Sequence, residues 1–191
     1  MKKILILIAI MLSTTCFAQK SNTCPVTGDN NGTTTAALHH QKVDSYKNRG
    51  TAPKHYTQIP FDVMAGLTVK NPMTWDTAVY LEGYVLEIQD GGKESCNCHS
   101  KDFKDTHIYI VKTADETNKG NALIVEATPR FRATLGTTAD LRKYIGKHVR
   151  IYGYLFRDDE HWPNSTIDNG TGNLWRHSVW EIHPICKIEL I

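Results

Sequence analysis

The sequence has 191 residues, of which 40% are hydrophobic and 22% are charged, as is typical of one globular domain with some additional chain. Loss of the first 18 residues, argued below, removes two of the 22 basic side chains and leaves 20 basic against 20 acidic ones. Proteins that hold nucleic acid through its phosphates usually carry a positive excess, so this near-neutral balance disfavours that function.

The first segment, residues 1–18, has the features of a secretory signal peptide. Lys2 and Lys3 form a basic start, residues 4–11 are apolar, and Cys16-Phe17-Ala18 provides a small-x-small cleavage site. The apolar run is too short to span a bilayer. The sequence therefore predicts export to the periplasm or the extracellular space, and a mature chain without a transmembrane segment.

The predicted mature chain retains four cysteines, which are Cys24, Cys96, Cys98 and Cys186. In an exported protein an even number of cysteines indicates disulfides, and four allow three pairings. Cys96 and Cys98 are too close in sequence to bond easily to each other, so each is expected to have a distant partner or none. A soft-metal or redox role for the Cys96-x-Cys98 loop is a second interpretation, which export disfavours.

Residues 19–50 are predicted to form a leader and a short helix. The first part is rich in Ser, Thr, Asn and Gly, has little to bury, and predicts a mobile leader. Residues 36–49 predict a helix that Gly50 ends. The weak apolar face of this helix consists of Leu38, Val43 and Tyr46.

Residues 51–76 are predicted to form an extended strap rather than part of a sheet. The segment contains Pro53, Pro60 and Pro72, and proline breaks regular structure because it lacks an amide hydrogen. Residues 61–67 are the exception, since they are free of proline and predict a turn of helix.

The remaining residues, 77–191, contain five segments whose apolar and polar side chains alternate, which predicts β-strands. A short helix with Thr138 as its N-cap and Gly146 as its C-terminal stop is predicted between the third and fourth strands. The predicted strands are residues 77–89, 106–113, 121–128, 147–157 and 178–191.

Two of these strands have irregular patterns. In the first, the apolar phase changes near Val85, just after Gly83, which predicts a bulge or bend that lets one strand serve two sheets. In the last strand, Trp180, Ile182, Cys186, Ile188 and Leu190 share one parity and form the predicted core face. Glu181, His183, Lys187 and Glu189 form the other face, for solvent or a ligand. Pro184 predicts a bulge or an unpaired edge, because it cannot donate a ladder hydrogen bond.

Three strands, a helix and two further strands, with a kinked first strand, follow the plan of an OB-fold-like barrel. In this fold five strands close into a Greek-key barrel, and closure removes the exposed edges that invite aggregation. A small β-sandwich is the alternative, but a sandwich would not need the helix between strands three and four. We therefore predict a mainly β, OB-fold-like barrel at residues 77–191 with an N-terminal extension.

Several short motifs in the sequence resemble a group of exported bacterial proteins that share this barrel. The resemblance covers most of the predicted mature chain, from Tyr46 onward, and implies the fold and export without implying an activity. The late E-I-H-P strand, paired with an earlier strand that contains a histidine, is its most specific feature. The matching residues are Lys47-Asn48-Arg49, Pro53, Tyr56, residues 105–111, Glu126, Pro129, residues 153–161 (GYLFRDDEH) and residues 180–184 (WEIHP).

Five polar side chains are predicted to meet on the face of the barrel that points away from the core: His107, Glu126, His161, Glu181 and His183. Imidazoles with carboxylates bind zinc or another divalent ion, and three protein ligands leave a position for an activated water. In this interpretation Glu181 is a base and the other four side chains are metal ligands. The other interpretation is a polar network that stabilises the barrel, which is favoured because the ligands lack the tight spacing of known metal motifs.

Aromatic side chains offer a second kind of site. Barrels of this type stack bases or sugars on such rings. The alternative, which we favour slightly, is that the strap covers the rings. The candidates are Tyr109, Tyr152, Tyr154, Trp162 and Trp175.

The sequence contains no G-x-S-x-G, no phosphate-cradling glycine loop and no H-E-x-x-H. The leading hypothesis is an exported binding module that uses the face of strands two, three and five to bind a small molecule, an oligosaccharide or an oligonucleotide. The second hypothesis is a metal-dependent hydrolase that acts on phosphodiesters. The third is a structural protein of the cell envelope.

Overall fold

The computed structural model describes residues 24–170 and 174–191. The predicted signal peptide, residues 1–18, lies outside the described residues. Within them, no helix has the length and apolar character needed to cross a membrane. The α-helices are α1 (Thr35–Lys47), α2 (Phe61–Ala65), α3 (Arg132–Leu135), α4 (Thr138–Leu141) and α5 (Thr166–Asn169).

Six strands form one sheet, and five of them close into a barrel. The order around the barrel is β2-β3-β4-β6-β5, and β2 pairs with β5 to complete the circle. Strand β1 adds to β2 in parallel, and β4 and β6 are also parallel. This order confirms the predicted OB-fold-like barrel. The strands are β1 (Thr57–Gln58), β2 (Ala78–Asp90), β3 (Thr106–Val111), β4 (Leu123–Ala127), β5 (His148–Arg157) and β6 (Trp180–Leu190).

The predicted irregularity in the first barrel strand is present. The first half of β2 pairs with β5 and the second half with β3, and the register with β3 shifts between Val85 and Glu87. At Gly83 the chains approach so closely that a Cβ would lie 2.6 Å from a side-chain atom of Ile110. A glycine before a bulge therefore lets one strand bend across two neighbours.

The strap closes one side of the barrel core. Pro60 precedes α2, where its fixed φ angle suits a helix start. Met64 of α2 is completely buried in the cluster of strand residues that forms the core, and the Ile59 amide donates to the Tyr80 carbonyl. Full burial of a side chain such as methionine contributes roughly 1.5–3 kcal/mol. The turn of helix predicted in the strap is thus part of the core.

Strand β6 departs from the predicted alternation after Pro184. The register with β5 shifts on both sides of Gly153, and Ile185 rather than Cys186 joins the core. The prediction that Cys186 shares the core face was therefore wrong, because Ile185 lies opposite Gly153 and Cys186 is the extra residue of the bulge. Ile188, opposite Ile151, packs against the core as predicted. Leu190, also predicted on that face, is 63% exposed.

The first part of the second face of β6 is buried, contrary to the expectation of a face for solvent or a ligand. Glu181 and His183 are 0% and 1% exposed, whereas Lys187 and Glu189, further along the strand, reach solvent as expected. Helix α1 lies against β6 and against the turn at Ser95–Asn97. This part of the outer side of the barrel is therefore a second protein interior that contains charged side chains.

Helix α1 buries charged rather than apolar side chains. Asp44 and Lys47 are buried, whereas Leu38 of the predicted apolar face is 54% exposed. The Thr34 hydroxyl accepts from the Ala37 amide and caps the helix. Amphipathic spacing did not predict the docked face, because the surface that α1 covers is polar.

The short helix before β5 begins one residue earlier than predicted. Thr137 is the N-cap of α4, and it forms a capping box with Asp140. Gly146 has φ 75°, the left-handed conformation that glycine adopts readily at a helix end. The α-helix itself ends earlier than predicted, at Leu141, and a 3-10 turn at Arg142–Tyr144 fills most of the distance to Gly146.

The described part of the leader is tied to the barrel. A disulfide joins Cys24 to Cys98, and the Asn30 side chain donates to Asp44 Oδ2 at 2.8 Å. Cys96 and Cys186 are buried thiols. Of the four predicted disulfide cysteines, two form a bond, and the segment from residue 24 onward is attached where a mobile leader was expected.

Candidate metal centre

A cluster of ionisable side chains is buried on the outer side of the barrel, beneath α1. We call it the buried charge cluster. Burial of charge is costly unless each group finds a partner or a metal ion. Its members are Lys47, Glu94, Asp105, His107, Glu126, Asp158, Arg176, Glu181 and His183.

Sheet register brings three predicted site residues together. His107 of β3 is directly opposite Glu126 of β4 in the antiparallel ladder. The parallel pairing of Val125 with Ile182 places the following residues of β4 and β6 side by side, and His183 Nδ1 lies 3.2 Å from Glu126 Oε2. The neighbouring strands therefore present two imidazoles to one carboxylate.

The first group of metal-ligand type is formed by Glu94, His107 and Glu126, whose ligand atoms lie within 4.8 Å of one another. His107 Nε2 is 3.3 Å from Glu126 Oε1 and 3.8 Å from Glu94 Oε1, yet it forms no hydrogen bond with any described group. Separations of this size match ligands about 2.0–2.2 Å from a shared ion. We call these three residues the outer group.

Gly91 provides the space beside His107. A Cβ at this position would lie 2.9 Å from His107 Nε2 and 3.1 Å from the Asp105 carbonyl oxygen. Any side chain here would displace the imidazole or occupy the position beside its nitrogen. Gly92 has no such neighbour within 4 Å.

The second group of metal-ligand type is formed by Asp105, Glu126 and His183, which we call the inner group. His183 Nε2 lies 3.8 Å from Asp105 Oδ2. Burial raises the pKa of Asp105. Burial also raises the pKa of Glu126 well above its usual value, and the nearby charges of Glu181 and Glu94 act in the same direction.

Two permanent cations neutralise the other buried acids. Arg176 Nη2 lies 2.5 Å from Glu181 Oε2, and Arg176 Nη1 lies 3.3 Å from Asp158 Oδ2. Lys47 Nζ lies 3.9 Å from Asp158 Oδ1 and 3.6 Å from Glu94 Oε2. Glu181, predicted as a base, is thus fully buried and held by Arg176, while its other oxygen accepts from His183 Nδ1 at 3.0 Å.

His161, predicted as a metal ligand, belongs to neither group. Its Nδ1 atom contacts Asp158, and its ring packs edge-on against Trp175 with the centroids 5.1 Å apart. Burial acts to lower the pKa of His161, but the hydrogen bond and the negative charge of Asp158 outweigh it and raise the pKa. Asp158 therefore orients the imidazole and favours its cationic form.

An open cleft of ≈ 690 Å³ gives access to the outer group. Its walls combine basic side chains, aromatic rings and the exposed edge of the buried charge cluster. The lining includes Lys47, Lys93, Glu94, His107, Tyr109, Lys119, His161 and Trp175.

The five aromatic candidates are divided between the cleft and the strap. Tyr109 and Trp175 line the cleft. Tyr152 packs edge-on against Tyr56 of the strap, with centroids 5.2 Å apart, and the Tyr154 hydroxyl donates to the Thr51 carbonyl at 3.2 Å. Trp162 is 43% exposed and does not line the cleft.

Sequence reasoning missed several members of the cluster, including Lys47, Glu94 and Asp105. Glu94 and Asp105 lie in the loop between β2 and β3, and Lys47 lies on a helix far from the barrel strands in sequence. The disulfide at Cys98 fixes the turn that follows Glu94. The two cysteines of this loop, Cys96 and Cys98, were the available signal that it is held in a fixed position.

No protein-family model matches this sequence, and no curated protein matches it. The function must therefore be inferred from the site itself. The observations that bear on it are the groups of metal-ligand type, the cleft and the His161–Asp158 pair. A third such group, formed by Glu94, Cys96 and Asp105, shares its two carboxylates with the outer and inner groups.

Proposed function

We propose that this chain is an exported, metal-dependent hydrolase of phosphodiesters, with its catalytic ion held by the outer group. The observation that carries the proposal is His107 Nε2, a buried nitrogen near two carboxylates that forms no hydrogen bond with a described group. Three protein ligands beside an open cleft leave coordination positions for water and substrate, as in catalytic rather than structural zinc sites. The disulfide is consistent with export.

The ligand types favour a divalent ion such as zinc or manganese. An imidazole with two carboxylates is a donor set that binds borderline and harder ions. Such an ion lowers the pKa of bound water and polarises a phosphoryl oxygen. Lys93 and Lys119 on the cleft wall add positive charge for the phosphate group.

His161 is the general acid in this proposal. It lines the same cleft as His107, and Asp158 holds its Nδ1 atom, so that Nε2 is the nitrogen left for a substrate. A divalent ion held by the outer group would supply an activated water for attack on phosphorus. His161 would give its proton to the leaving oxygen as the ester bond breaks and would regain one proton from the attacking water, so each cycle adds one water across that bond.

Metal binding tests the first half of the proposal. The purified mature protein is dialysed against zinc or manganese, and bound metal is measured by mass spectrometry. We expect His107→Gln to weaken binding at least about tenfold. His148→Gln is the matched control, since His148 stacks on Tyr84 away from the cleft. Wild-type protein that retains no metal would refute the proposal.

Hydrolysis of bis-p-nitrophenyl phosphate tests the second half. We expect His161→Gln to lower kcat by about a hundredfold while metal content is unchanged, because general acid catalysis contributes roughly 10²–10⁴. An inactive wild-type protein that binds metal would exclude the hydrolase for this substrate class.

Ligand binding without catalysis is the second candidate, and the half-exposed Trp175 in the cleft favours it. The central part of the face of β3, β4 and β6 is buried beneath α1, so a ligand would reach only its edge at the cleft. Binding of an oligosaccharide or a single-stranded oligonucleotide would quench Trp175 fluorescence. A fluorescence change in Trp175→Leu equal to that in the wild type would exclude this site.

A further inference from the structure

We propose that the inner group, formed by Asp105, Glu126 and His183, binds a second divalent cation, so that the proposed hydrolase has a two-metal centre. This inference rests on the proposed function, because Glu126 belongs to both groups. It assigns a role to buried side chains that the outer group does not use.

The first observation is that buried polar atoms of the inner group face each other without a hydrogen bond between them. His183 Nδ1 is hydrogen-bonded to Glu181 Oε1 at 3.0 Å, which fixes the orientation of the ring. The other ring nitrogen, Nε2, lies 3.8 Å from Asp105 Oδ2 and has no hydrogen-bond partner among the described residues. A nitrogen and a carboxylate oxygen held at this separation in a protein interior can both contact one cation between them.

The remaining acceptors of the inner group are unpaired as well. Glu126 Oε2 and Asp105 Oδ1 are buried and make no hydrogen bond with described groups. The three residues are only 1–2% exposed. Buried polar atoms are rarely left without a partner, so three in one place indicate a missing bound species. Because the three atoms lie close together around His183, we expect them to share one bound species.

The second observation is that one carboxylate serves both groups. Glu126 Oε1 lies 3.3 Å from His107 Nε2 in the outer group, and Glu126 Oε2 lies 3.2 Å from His183 Nδ1 in the inner group, so each oxygen faces a different group. A carboxylate that binds one ion through each oxygen is a bridge. Paired ions in phosphodiester enzymes lie about 3.5–4 Å apart, a distance that such a bridge spans.

The third observation is the distribution of fixed cations in the cluster. Lys47 lies beside Glu94 and Asp158, and Arg176 lies beside Asp158 and Glu181. Asp105 and Glu126 have no lysine or arginine partner among the ion pairs of the described residues, and both belong to the inner group. A cation bound there would compensate these two buried acids.

Glu94 and His107 of the outer group line the cleft, whereas the three residues of the inner group do not. An ion at the inner group would therefore not meet the substrate. It would fix the orientation of Glu126 and withdraw negative charge from it, and an outer ion sharing this carboxylate would be a stronger Lewis acid.

The number of bound ions separates this inference from the proposed function. The mature protein is refolded with zinc or manganese, dialysed and analysed for metal per chain. We expect about two ions in the wild type and about one in both Asp105→Asn and His107→Gln, since each variant removes a ligand of one group only. Asp115→Asn, on an exposed loop, is the control and should retain both ions.

Manganese provides a readout that does not depend on these variants folding. Two manganese ions bridged by Glu126 are exchange-coupled, and their EPR signal differs from that of isolated ions. A wild-type protein with one ion, insensitive to Asp105→Asn and without the coupled signal, would overturn the inner site and leave the proposed function intact. A wild-type protein with no bound ion would overturn both.

Discussion

Lys47 and Asp158 are both almost completely buried, and the Lys47 Nζ atom lies 3.9 Å from Asp158 Oδ1. The pair joins α1 to the loop after β5. Loss of one partner leaves the other charge in the interior, which typically costs about 3–5 kcal/mol. We therefore expect Lys47→Met to lower the free energy of unfolding by about 3 kcal/mol in urea titrations.

Lys42→Met is the matched control, because Lys42 is an exposed lysine of the same helix that lies over the Trp75 ring. An exposed contact of this kind contributes about 0.5–1 kcal/mol. Equal losses in the two variants would show that burial of the Lys47 charge has no special role.

The strap can be tested through its one completely buried helix residue. Met64→Ala removes most of a side chain that packs in the barrel core, and such substitutions cost about 2–5 kcal/mol. Val63→Ala, at a position that is 55% exposed, should change stability by less than about 0.5 kcal/mol. Chemical denaturation of both variants checks the difference, and a small effect of Met64→Ala would place the strap outside the core.

The two adjacent glycines after β2 allow a close comparison of metal binding. Gly91→Ala adds a methyl group 2.9 Å from His107 Nε2, whereas Gly92→Ala extends into open space. We expect Gly91→Ala to weaken metal binding at least about tenfold and Gly92→Ala to leave it unchanged. Isothermal titration with zinc measures both. Equal affinities would mean that His107 Nε2 is not a ligand.

The His161–Asp158 pair predicts a pH dependence of stability. The raised pKa of His161 means that the folded state holds this proton more tightly than the unfolded state. Its contribution is present below pH 6.5, the ordinary value for histidine, and is lost as pH rises through the raised pKa. The stability difference between wild type and His161→Gln should therefore be largest at acidic pH and should shrink towards alkaline pH.

Denaturation midpoints at pH 5.5 to 9 would check this dependence. His148→Gln serves as the control, because the His148 ring stacks on Tyr84 and forms no ion pair with a carboxylate of the described residues. A stability difference between wild type and His161→Gln that grows with pH would contradict the raised pKa of His161.

The disulfide between Cys24 and Cys98 predicts how many thiols can be labelled before and after reduction. Reduction should add the mass of two hydrogens, and alkylation of the unreduced, denatured mature protein should label Cys96 and Cys186 only. Cys24 and Cys98 are 74 positions apart, so loss of their bond should cost about 2–4 kcal/mol. The double variant Cys24→Ser/Cys98→Ser checks this loss of stability. The single variant Cys98→Ser tests whether Cys24, left without its disulfide partner, is then labelled by alkylation.

The barrel was predictable from sequence because alternation of side chains is a local property of a strand. The bend after Gly83 and the bulge at Pro184 were also visible, since glycine and proline restrict the backbone at their own positions. The consequence of the bulge was not visible, because the number of residues it displaces depends on the partner strand. Cys186 was placed on the core face for that reason, and Ile185 occupies it.

The candidate site was only half predictable. His107, Glu126 and His183 share the outer parity of their strands, so pairing of the strands was enough to bring them together. Glu94 lies in a loop and Lys47 on a helix, and their positions depend on contacts between parts of the chain that are distant in sequence. The sequence of α1 did not predict which face is docked on the barrel, because the residues that this helix buries are charged.

Helix α1 precedes the whole barrel in sequence but lies against β6, the last strand. These contacts join the two ends of the described chain, so they form only after synthesis of the barrel is complete. Until then the acids and imidazoles beneath α1 are open to water. If the proposed cation is present while the chain folds, it therefore meets its ligands before α1 covers them.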